Sequence, residues 1–467
     1  MRTSDYTIIV DLPDGKGSLL VHGYTGALDA VQPQVADYLR ALRDGDANRP
    51  AASDLSEDTY ATLRRRGYLT QASSEQERAF VTRLADRLQA RQLRHGGGFL
   101  IIPTYNCNLR CTYCYERLLH RNGRAWLETR MTQEVVDAAY AAMQELSSKT
   151  NHPNRKAITL YGGEPLLAEN RDLIEYIVAR GREQGYVFGA ITNGVDLDHF
   201  LDLLGPEGIH NLQITLDGPP ETHDRRRVHA DGSGSFAAIA ANVSLGLHAS
   251  VTISLRMNVD RRNVAAMDAL AQVLAERGWP QHKNFSAYIS PVHHDTDPQW
   301  APGMQVAELQ EAYRCALAAH PELQRLIDPF RSLREPMGHI LFGGDFPSFR
   351  PSYCGANTGM AIFDPFGDFY PCWDVVGRPE FRTGSFFPHG LQAEPGHLDE
   401  WLSRTIAVIP ECRSCPYALF CGGGCTSLAY QESKRFDTPK CRDFPAAFRS
   451  ALPALYQQRV AQRKPSS

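Results

Sequence analysis

Between Phe99 and Pro291, short apolar runs alternate with amphipathic stretches of helical period. Six of the runs read as strands: Phe99 to Ile102, Ala157 to Tyr161, Val187 to Ile191, Leu212 to Leu216, Val251 to Leu255 and Phe285 to Ile289. Helices are predicted between them, among them Thr132 to Leu146, with Thr132 at its cap, and Asn263 to Arg277, closed by Gly278. Such alternation is the pattern of a parallel sheet wrapped by helices. Six units are fewer than the eight of a closed barrel, so the expected fold is α/β, built on an open, partial (β/α)6 barrel. Its site belongs at the C-terminal ends of the strands.

The segment before this core opens with a hairpin, Thr7 to Val10 and Ser18 to Val21 about the turn Pro13 to Gly17, and continues as helices at Val35 to Leu42, Leu55 to Arg66 and Ser74 to Leu93. His95-Gly96-Gly97-Gly98 then breaks the pattern and marks a boundary. After the core, Val306 to Leu317 and Glu322 to Leu333 read as a helical connector. From Cys354 to Cys441 the chain is rich in Gly, Pro and Cys, as expected where metals rather than a large apolar core set the fold. The predicted domains are residues 1–95, 96–300, 301–350 and 351–445, with a C-terminal helix and tail over 446–467.

Composition narrows the function classes. The 467 residues, 43% of them hydrophobic, suffice for two or three packed domains. Lys and Arg number 49 against 53 Asp and Glu, with no long single-sign block, which argues against a nucleic-acid or membrane partner. The start carries no secretory pattern and no run of 18 apolar residues occurs, so a cytoplasmic location is expected. There, the eleven cysteines are more readily metal ligands than disulfides. Ten fall into two groups; Cys315 stands apart in an apolar helical pattern and is expected to be a buried thiol.

The first group, Cys107, Cys111 and Cys114 within Tyr105 to Tyr115, has C-x3-C-x2-C spacing, which holds three corners of a [4Fe-4S] cube and leaves one iron open to a small molecule. Three cysteines alone also suit a zinc site; a Gly-Gly-Glu one strand later, Gly162-Gly163-Glu164-Pro165, favours the cluster. Together these residues resemble the signature of radical S-adenosylmethionine (radical SAM) enzymes. The resemblance implies that S-adenosylmethionine (SAM) chelates the open iron and that an electron from the cluster cleaves its sulfonium to a 5'-deoxyadenosyl radical. It places Tyr113 near the adenine and the Gly-Gly-Glu motif at the methionine ammonium, where glycines allow close approach and a carboxylate suits a cation. Asn193 after the third strand, Thr215 and Asp217 after the fourth, Arg227, and Arg256 at the end of the fifth complete the implied SAM contacts. Thr192-Asn193-Gly194 also reads as a plain turn, and Arg256 as the partner of a neighbouring carboxylate.

The second group runs Cys354, Cys372, Cys412, Cys415, Cys421, Cys425 and Cys441, and resembles the SPASM domain, the auxiliary-cluster module of radical SAM enzymes that mature peptides and proteins. Carried over, Cys354, Cys372 and Cys425 would hold one auxiliary [4Fe-4S] cluster, and Cys412, Cys415, Cys421 and Cys441 a second, for three clusters in all. Some relatives supply a further cysteine six residues after the first; here Met360 stands there, which leaves the first auxiliary cluster with an open or non-cysteine corner. A zinc ribbon is the other reading of these thiolates.

Sulfatase-maturing relatives place a basic aspartate directly after the second SPASM cysteine. In this chain it is displaced by one, to Asp374, which reads as a candidate catalytic base or a surface charge. The first 95 residues resemble in pattern the winged-helix recognition element of ribosomal-peptide maturases, where a leader peptide adds a strand to an exposed sheet edge; a simple packing domain has the same pattern. The reading implied is a SAM-cleaving maturase that abstracts a hydrogen from a precursor peptide to install a carbon-carbon or thioether crosslink, fed by an external flavodoxin- or ferredoxin-type donor. The alternatives are a sulfatase-type or other protein-residue maturase, and a non-catalytic iron-sulfur electron carrier.

Overall fold

The structure is a computed structural model that describes residues 1–45, 55–149, 156–292, 304–321 and 348–463, together with Leu323, Met337 and Leu341. The chain forms two compact units. One combines Met1–Arg91, Phe330–Cys354 and Ser403–Ser467; the other, Gln92–Pro329 and Gly355–Leu402.

In the first unit, β1 (Arg2–Thr3) pairs antiparallel with β5 (Leu69–Thr70), and β2 (Thr7–Asp11), β3 (Ser18–His22) and β4 (Leu28–Val31) form an antiparallel sheet in the order β2-β3-β4. The hairpin expected from sequence therefore gains a third strand. Its apolar face, with Ile9 and Leu20, packs on Val35, Ala36 and Leu39 of the helix Pro33–Asp44 and on Leu63 of Glu57–Arg66. Gly67 ends that second helix in a left-handed conformation, φ 94°.

The second unit is built on one ten-stranded sheet. The six expected strands are β6 (Phe99–Ile101), β7 (Ala157–Leu160), β8 (Val187–Thr192), β9 (Ile209–Thr215), β10 (Thr252–Val259) and β11 (Phe285–Pro291), parallel neighbours in sequence order. Alternation along β10 explains both of its faces: Ile253, Leu255, Met257 and Val259 are buried in the core with Ile239 and Leu270 of the covering helices, and Arg256 and Asn258 point the other way. The helix Gln133–Lys149 packs Val136, Ala139, Tyr140 and Met143 into the same core, with Thr132 Oγ1 accepting from Val135 N at its start.

The cysteine-rich tract also joins this sheet. β12 (Ala361–Phe363) lies parallel to β6, and β13 (Asp368–Tyr370), β14 (Gly384–Ser385) and β15 (Gln392–Ala393) continue it antiparallel. The connector helix is present at Val306–Ala319, whereas the one expected over 322–333 lies outside the described residues, Leu323 excepted. On Val306–Ala319 the buried side carries Leu309, Gln310 and Tyr313. Cys315 falls on the exposed side, its thiol 3.5 Å from Glu311 Oε1, so the expectation of a buried thiol is corrected. The C-terminal helix spans Phe444–Arg463. No helix among the described residues is long and apolar enough to cross a membrane.

Candidate functional site

At the C-terminal ends of the parallel strands a cavity of about 520 Å³ opens, and Cys107, Cys111 and Cys114 all line it. The loop that carries them follows β6 and is held by backbone bonds on two sides. Glu164 N donates to Asn106 O at 2.8 Å; Arg110 N and Thr112 N donate to Val228 O and Arg226 O at 2.7 and 2.9 Å. Glycine is required at the first contact: Gly162 has φ 117°, and a Cβ on Gly163 would stand 2.3 Å from the carbonyl oxygens of both Tyr105 and Asn106. Burial raises all three thiols, Cys114 to about 12, and the neighbouring thiolate of Cys111 adds to the rise of Cys107 and Cys114.

Glu164 is buried, and its carboxylate ties the end of β7 to the end of β8. Oε1 accepts from Thr192 Oγ1 at 2.6 Å and Leu166 N at 2.9 Å, and Oε2 accepts from Asn193 N at 2.6 Å. Burial nonetheless pushes its pKa up to about 7. The side chain of Asn193 donates to Asn108 Oδ1 at 2.7 Å, so the turn after β8 fixes the cysteine loop.

Tyr113 is clamped from three directions. Its hydroxyl accepts from Arg227 Nη1 at 2.9 Å and Asn258 Nδ2 at 3.1 Å, and the Arg226 guanidinium lies 5.0 Å from its ring centre. Tyr113, Thr215, Arg227 and Arg256 line the cavity with the Gly-Gly-Glu motif. Asp217 is fully buried and serves the frame, accepting from Asn258 N at 3.1 Å and pairing at 3.2 Å with Arg226, which also binds Asp260 at 2.9 Å. Pro165 is buried where the motif turns away.

Past β13, Cys372 is buried, and the short turn Trp373–Val375 brings Trp373 and Asp374 onto the cavity. An aromatic wall stands beside them. The Tyr115 and Tyr161 rings stack at 6.5 Å and Tyr161 meets Trp373 at 6.2 Å, while Tyr115 donates to Glu116 Oε1 at 3.0 Å. Burial raises the Glu116 carboxyl to about 7. None of Tyr115, Glu116 or Trp373 stood out in the sequence, because each lies within two residues of a cysteine whose spacing carries the whole signal.

The remaining cysteines divide between the units. Cys372 belongs to the sheet unit; Cys354, Cys412, Cys415, Cys421, Cys425 and Cys441 belong to the other. Burial raises Cys412, Cys415 and Cys421, with Cys412 and Cys421 reaching about 12; Cys421, then Cys415 and Cys441, add to the rise of Cys412, and Cys441 adds to that of Cys415 and Cys421. Gly422, Gly423 and Gly424, between Cys421 and Cys425, all have φ between 74° and 82°. A Cβ on Gly424 would overlap the Lys440 carbonyl, so this crossing of the loop beside Cys441 admits glycine alone.

The donors fit an iron-sulfur and SAM site at the barrel mouth. All three thiols share one cavity, and two guanidinium nitrogens there, Nε of Arg227 and of Arg256, are buried without a hydrogen-bond partner, where a carboxylate or ribose hydroxyl would satisfy them. Among the described residues, no three Cys, His, Asp or Glu side chains group closely enough to hold a single metal ion.

Residues 101–270 match the Radical SAM superfamily, so the chain carries a radical SAM domain and is an enzyme of that class, which implies one [4Fe-4S] cluster and SAM. Mycofactocin maturase MftC of Mycobacterium tuberculosis (strain CDC 1551 / Oshkosh) is 26% identical over 347 residues, 72% of this chain and 80% of that protein. The cysteine-type anaerobic sulfatase-maturating enzyme of Clostridium perfringens (strain 13 / Type A) is 22% identical over 365 residues, 75% and 94% of the two chains. The solved structure of native anSMEcpe with bound AdoMet and Cp18Cys peptide has the same fold, with a TM-score of 0.57 and 18% identity over 78% of this chain and 99% of that one.

Proposed function

We propose that this enzyme matures a ribosomally made precursor peptide, abstracting a hydrogen from an unactivated carbon to install a carbon-carbon or thioether crosslink. The observation that carries the reading is that the three thiols of the first motif and the Trp373-Asp374 turn of the cysteine-rich tract line one cavity. A substrate side chain laid against that turn would share the cavity with the three thiols that would hold the cluster. The bound cluster and SAM supply reductive sulfonium cleavage and a hydrogen-abstracting radical.

The chain's own groups orient the reactants. Cys107, Cys111 and Cys114 hold the cluster, and Glu164 with the Gly162-Gly163 backbone receives the methionine ammonium. Arg227 and Arg256 meet carboxylate and ribose oxygens, and Tyr113 closes on the adenine. Asp374 takes the substrate proton, and the aromatic wall excludes water from the reacting carbon. Auxiliary clusters on Cys354, Cys372 and Cys425, and on Cys412, Cys415, Cys421 and Cys441, would remove the second electron, and a flavodoxin- or ferredoxin-type donor supplies the first. Leader recognition falls to the N-terminal sheet, whose β4 is paired only with β3 among the described residues. A cytoplasmic location agrees with thiolate clusters, which need reducing surroundings.

A sulfatase-type maturase is the second reading: its relative is 22% identical, and Asp374, although displaced by one residue, still lines the cavity. Anaerobic reconstitution with SAM and dithionite, followed by mass analysis of the precursor peptide, tests both. Cys107→Ala is expected to abolish 5'-deoxyadenosine formation, whereas Cys354→Ala retains part of it and loses the peptide product. Equal loss in the two variants would argue against separate cluster roles, and a sulfatase peptide oxidised in place of the precursor would favour the second reading.

A further inference from the structure

Arg404 is buried to 1% exposure in the unit that carries six of the seven C-terminal cysteines. All five of its N–H groups go to neutral acceptors. Nε donates to Phe436 O at 2.8 Å; Nη1 donates to Gly424 O at 2.8 Å and Thr426 Oγ1 at 3.5 Å; Nη2 donates to Gly423 O at 3.1 Å and Thr438 O at 2.8 Å. Among the described residues no carboxylate pairs with it. A guanidinium does not shed its proton, so the site encloses a permanent positive charge that carbonyl dipoles alone do not balance.

Cys425, Cys412, Cys354 and Cys421, once ionised, act electrostatically on this guanidinium. A Cβ placed on Gly423 would stand 3.7 Å from Arg404 Nη1 and 3.9 Å from Cys412 Sγ, which sets the scale of their separation. Two of these thiols belong to each of the two auxiliary ligand sets. The left-handed run of Gly422, Gly423 and Gly424 turns two carbonyls onto the arginine while it carries Cys421 and Cys425 past it.

We infer that Arg404 is a built-in counter-cation shared by the two C-terminal thiolate sets, a positioning residue that raises the reduction potential of the clusters they hold. This rests on the reading of those thiols as iron-sulfur ligands. Thiolate-bound clusters are net anionic, and one-electron reduction adds a further negative charge. A fixed cation in a dry site stabilises the reduced form more than the oxidised one.

The test uses the full chain, reconstituted anaerobically, with iron and sulfide counted and the clusters titrated with dithionite under EPR detection. Signals that persist in Cys107→Ala belong to the C-terminal clusters. Arg404→Gln is expected to keep its iron and to shift at least one of these midpoints negative by about 59 mV or more, tenfold in the one-electron equilibrium. Arg404→Lys keeps the charge but forfeits the fork of five bonds, and is expected to stay near the wild-type midpoint. An unchanged midpoint in Arg404→Gln with full iron content overturns the assignment, as does equal loss of iron in both variants, which marks Arg404 as a loop clamp only. Wild-type protein with iron at the Cys107 trio alone would instead remove the auxiliary-cluster reading itself.

Discussion

Asp364 shows at the scale of one residue how burial and hydrogen bonding compete. It caps the turn between β12 and β13, accepting from Phe366 N at 2.9 Å, Asp368 N at 3.0 Å and the Tyr105 hydroxyl at 3.2 Å, yet burial raises its pKa from 3.8 to about 7. Between those two values the folded chain holds a proton that the unfolded chain has released, so this residue's contribution to stability falls as pH rises through the window. The penalty is complete above pH 7 and reaches the order of 4 kcal/mol. Asp364→Asn keeps an acceptor for both amides and cannot ionise. Thermal unfolding between pH 5 and 8 should therefore show a flatter decline than the wild type; identical slopes would mean that Asp364 titrates near its ordinary value. Glu164 and Glu116, also raised to about 7, leave a residual slope in both proteins.

At the scale of elements, the cysteine loop depends on its fit against the turn after β7. Gly163→Ala forces a methyl group to 2.3 Å from two carbonyls, and overpacking of this kind costs ~1–3 kcal/mol. The expected result is SAM binding weakened about tenfold or more by equilibrium dialysis, with β6–β11 intact by circular dichroism; retained affinity would show that the loop relocates freely. The edge of the N-terminal sheet offers a second test. His22 N donates to Ala27 O, and the register from there directs the N–H of Ala30 away from β3. Ala30→Pro removes that outward donor without touching the β3–β4 bonds. Precursor binding by calorimetry should fall while peptide-independent SAM cleavage stays; unchanged affinity would move the leader elsewhere.

For the whole molecule, both units have apolar cores, and they differ in the thiols that one of them adds. The sheet unit has a continuous apolar core running from Phe99 to Phe386. In the other unit the cysteine loops pack Ile406, Ile409, Ala418 and Leu419 against Val81 and Ala85, and their thiols raise one another's pKa, a repulsion that iron held there as proposed would convert into attraction. Iron chelation should therefore increase amide exchange across residues 412–441 and leave β6–β11 protected. Uniform deprotection would show that the units unfold as one.

The sequence by itself determined the parallel core and which residues stand at its mouth. All six strands lie within a few residues of where apolar alternation put them, because period-two burial is a local property. The Cys-x3-Cys-x2-Cys and Gly-Gly-Glu spacings are equally local. Only the tertiary structure decided what depends on distant segments meeting. β12 extends the barrel sheet from more than two hundred residues away, and its hairpin delivers Trp373 and Asp374 to the cavity. The placement of Cys315 on the exposed side of its helix, and of Arg404 among carbonyls that come from four other residues, follows from packing partners that no local pattern encodes.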